Sequence, residues 1–363
     1  MKKSTASVIL FLLFVSTSAI ADFAPHTRIQ WVVKLKNERP FKRLKTQYAV
    51  PTFVDNIIYV GSASGHIYAI DRLRGRKIWR SEVRGPVYGG IAYQDNTLYF
   101  GDGKGFVYAM DATAGKELWH AEMGSDIMCT PLVSGNMVFF TTMSGHLLAI
   151  DRTTGGRIYQ TLRRTSTGEF SVRGSSSPVQ WQNLIIAGFS DGTLVAFDQA
   201  SGSKVWEYTL GNMAQPMQDV DGTPLLIGDV VIAASINGSL AAIQAKTGQV
   251  QWSAPIDSPN DVIYEDGVLY AEGKGKLYAL NPTTGSIIWK QRLDTAEAST
   301  PARINGTIFD ISTHDKSYWV NDSSGEIIHT RFIGKGSFSK PLVVGTTLYV
   351  LTNRGDLYAL ETK

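Results

Sequence analysis

One phrase recurs along the chain: an apolar strand, a turn with glycine, and a closing tryptophan. It reads "IYAIDRLRGRKIW" (67–79), "VYAMDATAGKELW" (107–119), "LVAFDQASGSKVW" (194–206), "LAAIQAKTGQVQW" (240–252) and "LYALNPTTGSIIW" (277–289). A unit this small cannot bury its apolar face alone, so its copies must stack on one another. Tyr159 ("GGRIY") and His329 ("GEIIH") take the closing place in two weaker copies. An eighth copy is split, because "GDLYALETK" (355–363) has the opening strand without a closing one, and "RIQWVVKL" (28–35) has the reverse. Closing positions 31, 79, 119, 159, 206, 252, 289 and 329 are spaced by 48, 40, 40, 47, 46, 37 and 40 residues. That period belongs to four-stranded propeller blades. The expectation is an all-β chain: an eight-bladed β-propeller of antiparallel blades, forming one domain over 22–363, with the N-terminal strand completing the C-terminal blade.

Within a copy, 130–135, 137–142, 146–151 and 156–161 read as strands A to D. Glycine in the B–C and C–D turns accepts the positive φ that other residues resist. Prolines 131, 178, 224, 301 and 341 are expected in strand A, the inner edge strand, where a missing N–H is tolerated. The tryptophans read as packing between blades, since burying such a ring locks one blade to the next. Asp71, Asp111, Asp151 and Asp198 recur at one blade position, which marks a structural role.

Lys2 and Lys3 precede an apolar run from Val8 to Val15, and Ala19-Ile20-Ala21 ends in the small-x-small pattern of a cleavable secretory signal over 1–21. Its apolar stretch is shorter than the roughly 20 residues that span a bilayer. Cys129 is the only cysteine, so an exported chain would have no internal disulfide, and a buried, inert thiol is expected. Without the signal the chain carries 33 basic and 32 acidic residues, a balance unlike that of a dedicated nucleic-acid binder.

Strands alternate direction, so every D-to-A connection must leave on the face that carries the B–C turns. The three longest connections, 32–48, 161–175 and 207–222, therefore share one face, as a bound partner requires. The middle one holds "TGEFSVRGSSS", in which Phe170 and Val172 stand beside Arg173, a combination typical of interface anchors. From the residues alone two readings stand: a partner site, or Phe170 and Val172 tucked beneath the loop with Arg173 paired to Asp219 or Asp221. The first connection, "KLKNERPFKRLK" (34–45), has six basic residues against one acidic. It reads either as a solvated loop or as a contact for anionic headgroups or an acidic protein.

The run Ala-x-Asp-x-x-(Thr)-Gly-x-x-x-Trp, its threonine not present in every copy and its other positions clearest at Ala109, Asp111, Gly115 and Trp119, resembles the quinoprotein repeat. "FSVRGSSSP" (170–178), the segment opening "DVDGTPLLIGDVV" (219–231) and the split eighth blade are similar, over about 28–363, to the BamB family of outer-membrane β-barrel assembly propellers. That resemblance implies a non-catalytic periplasmic scaffold near the outer membrane, binding the periplasmic domains of a central, BamA-like barrel subunit. It implies Phe170, Val172, Arg173, Asp219 and Asp221 as the contact residues, and it leaves nascent outer-membrane proteins as a second class of partner. Family members are usually lipoproteins, whereas no cysteine follows the apolar run here; contact of the basic loop 34–45 with the membrane surface is one way a missing anchor could be partly replaced.

The alternative is a quinone-dependent dehydrogenase or a quinone- or ligand-sensing propeller. Such an enzyme needs a metal ion, a catalytic aspartate and commonly a vicinal cysteine pair. One cysteine excludes the pair, and the six histidines have no zinc-site spacing. "GDGKG" (101–105) and "GKGKL" (273–277) join strands rather than open helices, which weakens a phosphate-loop reading. The expectation is no enzyme and no cofactor.

Overall fold

The computed structural model describes residues 27–35, 47–161, 176–210, 219–220, 222–236, 239–256, 259–294, 299–314 and 316–362. These residues form eight four-stranded antiparallel sheets, with no helix among them. Blades 1 to 7 span 52–82, 92–122, 132–160, 179–209, 225–254, 259–292 and 302–332. Blade 8 takes three strands from 342–362 and its fourth from Thr27–Lys34, which pairs from Thr27↔Thr362 to Lys34↔Asp356. The ring is an eight-bladed propeller closed by the N-terminal strand.

Strand A is only three residues long in most blades, and the prolines are not in it. Pro131, Pro178, Pro224, Pro301 and Pro341 each stand one residue before it, ahead of Leu132, Val179, Leu225, Ala302 and Leu342. Their fixed φ turns the chain into the strand without taking a donor from its short ladder.

Strands B and C are buried, and an apolar cluster fills each of the eight joints between neighbouring blades. Strand D is the outer edge, and in every blade its pairing with strand C is interrupted by a bulge next to the closing aromatic. The bulged residue points outward, as Ile78, Leu118, Ile158, Val205 and Ile288 do. A bulge re-aims an edge strand and blunts its tendency to pair with another chain.

The closing aromatics do pack between blades, and they do so in one repeated way. Trp119 donates its indole N–H to the Arg152 carbonyl of the next blade at 3.0 Å, while its ring lies over Gly155. A Cβ on Gly155 would stand 2.7 Å from that ring, and its φ of 73° already disfavours any other residue. Trp31, Trp79, Trp206, Trp252 and Trp289 make the same bond to Arg72, Ala112, Ala245, Pro282 and Asp322. Tyr159 makes it through its hydroxyl, to the Gln199 carbonyl at 2.8 Å. The recurrent aspartates build the turn being gripped: Asp151 Oδ1 accepts from the Thr153 and Thr154 backbone N–H groups. Those bonds favour the charged form and hold the Asp151 carboxyl below its usual range.

Candidate functional site

Hydrogen bonds at the ends of the D strands identify the face from which the connections leave. Val83, Met123, Leu210, Leu293 and Leu35 each donate a backbone N–H to the B–C turn glycine of the same blade, at Gly65, Gly105, Gly192, Gly275 and Gly355, over 2.7–2.9 Å. D-strand ends and B–C turns therefore lie on one face. The three long connections start and finish there, at Leu35 and Gln47, Thr161 and Ser176, and Leu210 and Asp219.

Phe170, Val172, Arg173 and Asp221 lie outside the described residues. The stems that carry them are described, and they converge. Ser176, fully buried, accepts from the Gly188 N–H at 2.6 Å through Oγ, and its carbonyl accepts from the Thr141 hydroxyl of blade 3. From the other connection, Val220 donates its N–H to the Phe189 carbonyl at 3.0 Å and packs its side chain on Gly188. Two adjacent residues of blade 4, Gly188 and Phe189, thus anchor one stem of each loop.

Asp219 is 1% exposed, and its carbonyl accepts from the Ile236 N–H of blade 5. Pro86, Asp126 and Gly336 bridge to Gly103, Met143 and Asn353 in the same way. Next to them, Val87 sits on Gly61 and Ile127 on Gly101 as Val220 sits on Gly188. The Asp219-Val220 step is therefore the local form of a repeated plug in which the connection inserts an apolar side chain over a strand-B glycine. What Asp219 gives this face is the shape of its loop, since its own side chain is enclosed. Two of these plugs, Ile127 and Val220, stand four positions before Pro131 and Pro224, a spacing to proline that Val87 does not share.

On the same side the connections surround an axial cavity of about 460 Å³, to which all eight blades contribute. One wall is aromatic, with Tyr48 5.8 Å from Tyr88 and 5.1 Å from Phe338. The opposite wall is polar: Asp261 accepts from the Thr223 N–H and the Thr300 hydroxyl and faces the Lys340 ammonium at 3.8 Å. Burial pushes the Tyr88 hydroxyl up from its usual range. None of these residues was singled out from the sequence, because each is ordinary in type and becomes notable only through convergence on the axis. Cys129 is buried with its thiol directed to the Thr141 carbonyl at 3.5 Å, and burial raises its pKa, the profile of an unreactive thiol. Among the described residues no three His, Cys, Asp or Glu side chains gather in a metal-binding group.

The family model described as outer membrane protein assembly factor BamB matches residues 63–291 and 273–363. The chain belongs to that family. A BamB from Yersinia pestis is 26% identical over 212 residues, covering 56% of this chain and 54% of the relative. Matches of this kind span about half the length of the curated relatives. Among solved structures, BamB from Moraxella catarrhalis superposes with a TM-score of 0.80 at 22% identity, covering 92% of this chain and 99% of that one. Quinohemoprotein alcohol dehydrogenase from Comamonas testosteroni shares the fold with a TM-score of 0.72 at 15% identity, covering 92% of this chain and 76% of that one. At these identities the superpositions speak for the fold alone.

Proposed function

We propose that this chain is a propeller scaffold of outer-membrane β-barrel protein assembly, acting in the periplasm without catalysis. Its partner is the periplasmic part of a central, BamA-like barrel subunit, held by the loops that carry Phe170, Val172, Arg173, Asp219 and Asp221. The observation that carries this reading is the shared anchorage of both stems on Gly188 and Phe189, which brings the roots of the two loops together beside family membership. Arg173 is three residues from the fixed Ser176, within about 10 Å of extended chain. Phe170 and Val172 supply apolar anchoring, and Arg173 and Asp221 set orientation through charge.

The test is affinity for the purified periplasmic domains of the barrel subunit, measured beside thermal stability. Arg173→Glu is expected to weaken binding by about 2 kcal/mol or more, roughly 30-fold, with stability unchanged. Reversing Lys42 and Arg43 is the control, expected to alter salt-dependent or membrane association instead. Loss of stability at constant affinity would make Arg173 an internal strut and end this site assignment.

A second reading rests on the axial cavity and the quinohemoprotein likeness, which together would suit a quinone sensor or dehydrogenase. Calorimetry with pyrroloquinoline quinone and calcium separates the two. The scaffold reading expects no saturable site, and a micromolar one supporting alcohol or sugar oxidation would replace it.

A further inference from the structure

Strand B alternates between a blade's two joints, so each joint receives one strand-B residue from the blade before it and one from the blade after it near the same depth. At the joints from 1–2 to 5–6 these pairs are Gly61 with Phe100, Gly101 with Phe140, Thr141 with Ala187, Gly188 with Ala233, and Ala234 with Ala271. Joints 7–8 and 8–1 have Ile311 with Val350, and Leu351 with Val60. The joint between blades 6 and 7 has Glu272 with Asp310. Both face the cluster of Tyr270, Ala279, Ile308 and Tyr318, and both are enclosed, at 1% and 0% exposure. Neither Asp310 oxygen makes a hydrogen bond of ordinary geometry, while Glu272 Oε1 accepts from the Gly275 N–H at 2.9 Å. An enclosed carboxylate without donors, next to a second carboxyl, is among the least favourable charges a core can hold.

We propose that Glu272 and Asp310 share one proton across the joint, which makes the contact between blades 6 and 7 the pH-responsive seam of the ring. Asp310 is the proton holder. Burial first, and then the charge of Glu272, raise its carboxyl well above the ordinary range, with only the Ile311 backbone N–H acting in the other direction. Among the described residues, the other titratable groups packed on this joint are engaged elsewhere: the Tyr318 hydroxyl donates to the Asp294 carbonyl at 2.9 Å, the Tyr270 hydroxyl to the Asp322 carbonyl at 3.5 Å, and Lys316 pairs with Asp294 at 2.7 Å on the rim. The linkage has a definite sign. A carboxyl whose folded pKa lies above its unfolded value of about 4 contributes fully below that value, and its contribution is lost as pH rises through the folded pKa. The joint is therefore tightest at acidic pH and loosens as pH rises through the raised pKa of Asp310, opposite to an ordinary salt-bridged aspartate.

The experiment is thermal melting of the full chain from pH 5 to pH 9, for the natural sequence and for Asp310→Asn, which keeps the shape and cannot ionise. The variant is expected to gain several degrees over the natural protein as pH rises, and infrared difference spectra at the acidic end of that range are expected to show a protonated-carboxyl band that the variant lacks and that fades as pH rises. Hydrogen exchange should place the loosening at higher pH in strands 268–273 and 307–311. Parallel melting profiles overturn the proposal, as does absence of the band. If Asp310→Asn does not fold, Asp310→Ala, the residue blades 4 to 6 carry at this place, is read by the same criteria.

Discussion

Seven joints of the ring are closed by a ring-over-glycine grip, and the joint between blades 7 and 8 is not. In the other blades the closing aromatic of strand D lies opposite an alanine of strand C, as in Ala109↔Trp119 and Ala149↔Tyr159. In blade 7 the sizes are exchanged: the register pair is Trp319↔His329, with ring centres 5.2 Å apart. The next blade explains why. Blade 8 changes from strand C to strand D between Thr362 and Thr27, which are separate parts of the chain, so there is no glycine turn for a tryptophan at 329 to cover. The aromatic mass moves inward instead, and Trp319 is fully buried against Phe309 at 4.9 Å. Arg331 and Asn305 then tie down the two ends, donating to the Thr27 and Thr362 carbonyls. A repeat position thus keeps its role only where the neighbouring blade presents the surface it fits.

The largest effect is expected from removing the strand that blade 8 borrows. Deleting residues 22–35 takes away a full ladder, the Trp31 grip and buried Val33 and Leu35, and should lower the melting temperature more than any single substitution, in one cooperative transition. An unchanged melting temperature would mean that closure does not hold the ring. Next comes the packed aromatic at each kind of joint, half-buried Trp119 and fully buried Trp319. Trp119→Ala and Trp319→Ala should each cost about 3–5 kcal/mol by denaturant titration, whereas His329→Ala should cost about 1 kcal/mol. Pairing Trp319→Ala with His329→Trp restores the common pattern within blade 7 but gives the new ring no turn to grip, so it should recover only part of the Trp319→Ala loss. Full recovery would refute the explanation from the missing turn. Gly155→Ala, which places a methyl group against Trp119 at positive φ, should cost about 2 kcal/mol. The smallest effect, about 1 kcal/mol, is expected for Arg331→Ala, which leaves the Thr27 carbonyl to water.

Blade count, ring closure and the packing role of the tryptophans were legible because they are periodic, and a period can be counted without coordinates. The sequence also showed His329 in a tryptophan slot, but not its compensation by Trp319, because that needs the strand register. The plug residues Val87, Ile127 and Val220 were hidden for a related reason. They sit in connections of unequal length, and the glycine each one covers is 26 to 32 residues earlier. For the candidate site, shared placement of the long loops on one face followed from strand direction alone. Convergence of their stems on Gly188 and Phe189 did not, since Ser176 is one of several serines in "RGSSSP" and nothing in its type distinguishes it. Glu272 and Asp310, 38 positions apart, look like ordinary acidic residues until the joint brings them together.

Every grip reaches forward: a ring on one blade holds the turn of the following blade and none holds the preceding one. The blades thus behave like head-to-tail subunits of a cyclic oligomer, where closure demands that the rotation per unit match the number of units. In such a ring angular error accumulates from blade to blade and must be absorbed somewhere. The seam without a grip is where this propeller can absorb it, so a chain gaining or losing a blade would meet its misfit between His329 and the paired ends of blade 8.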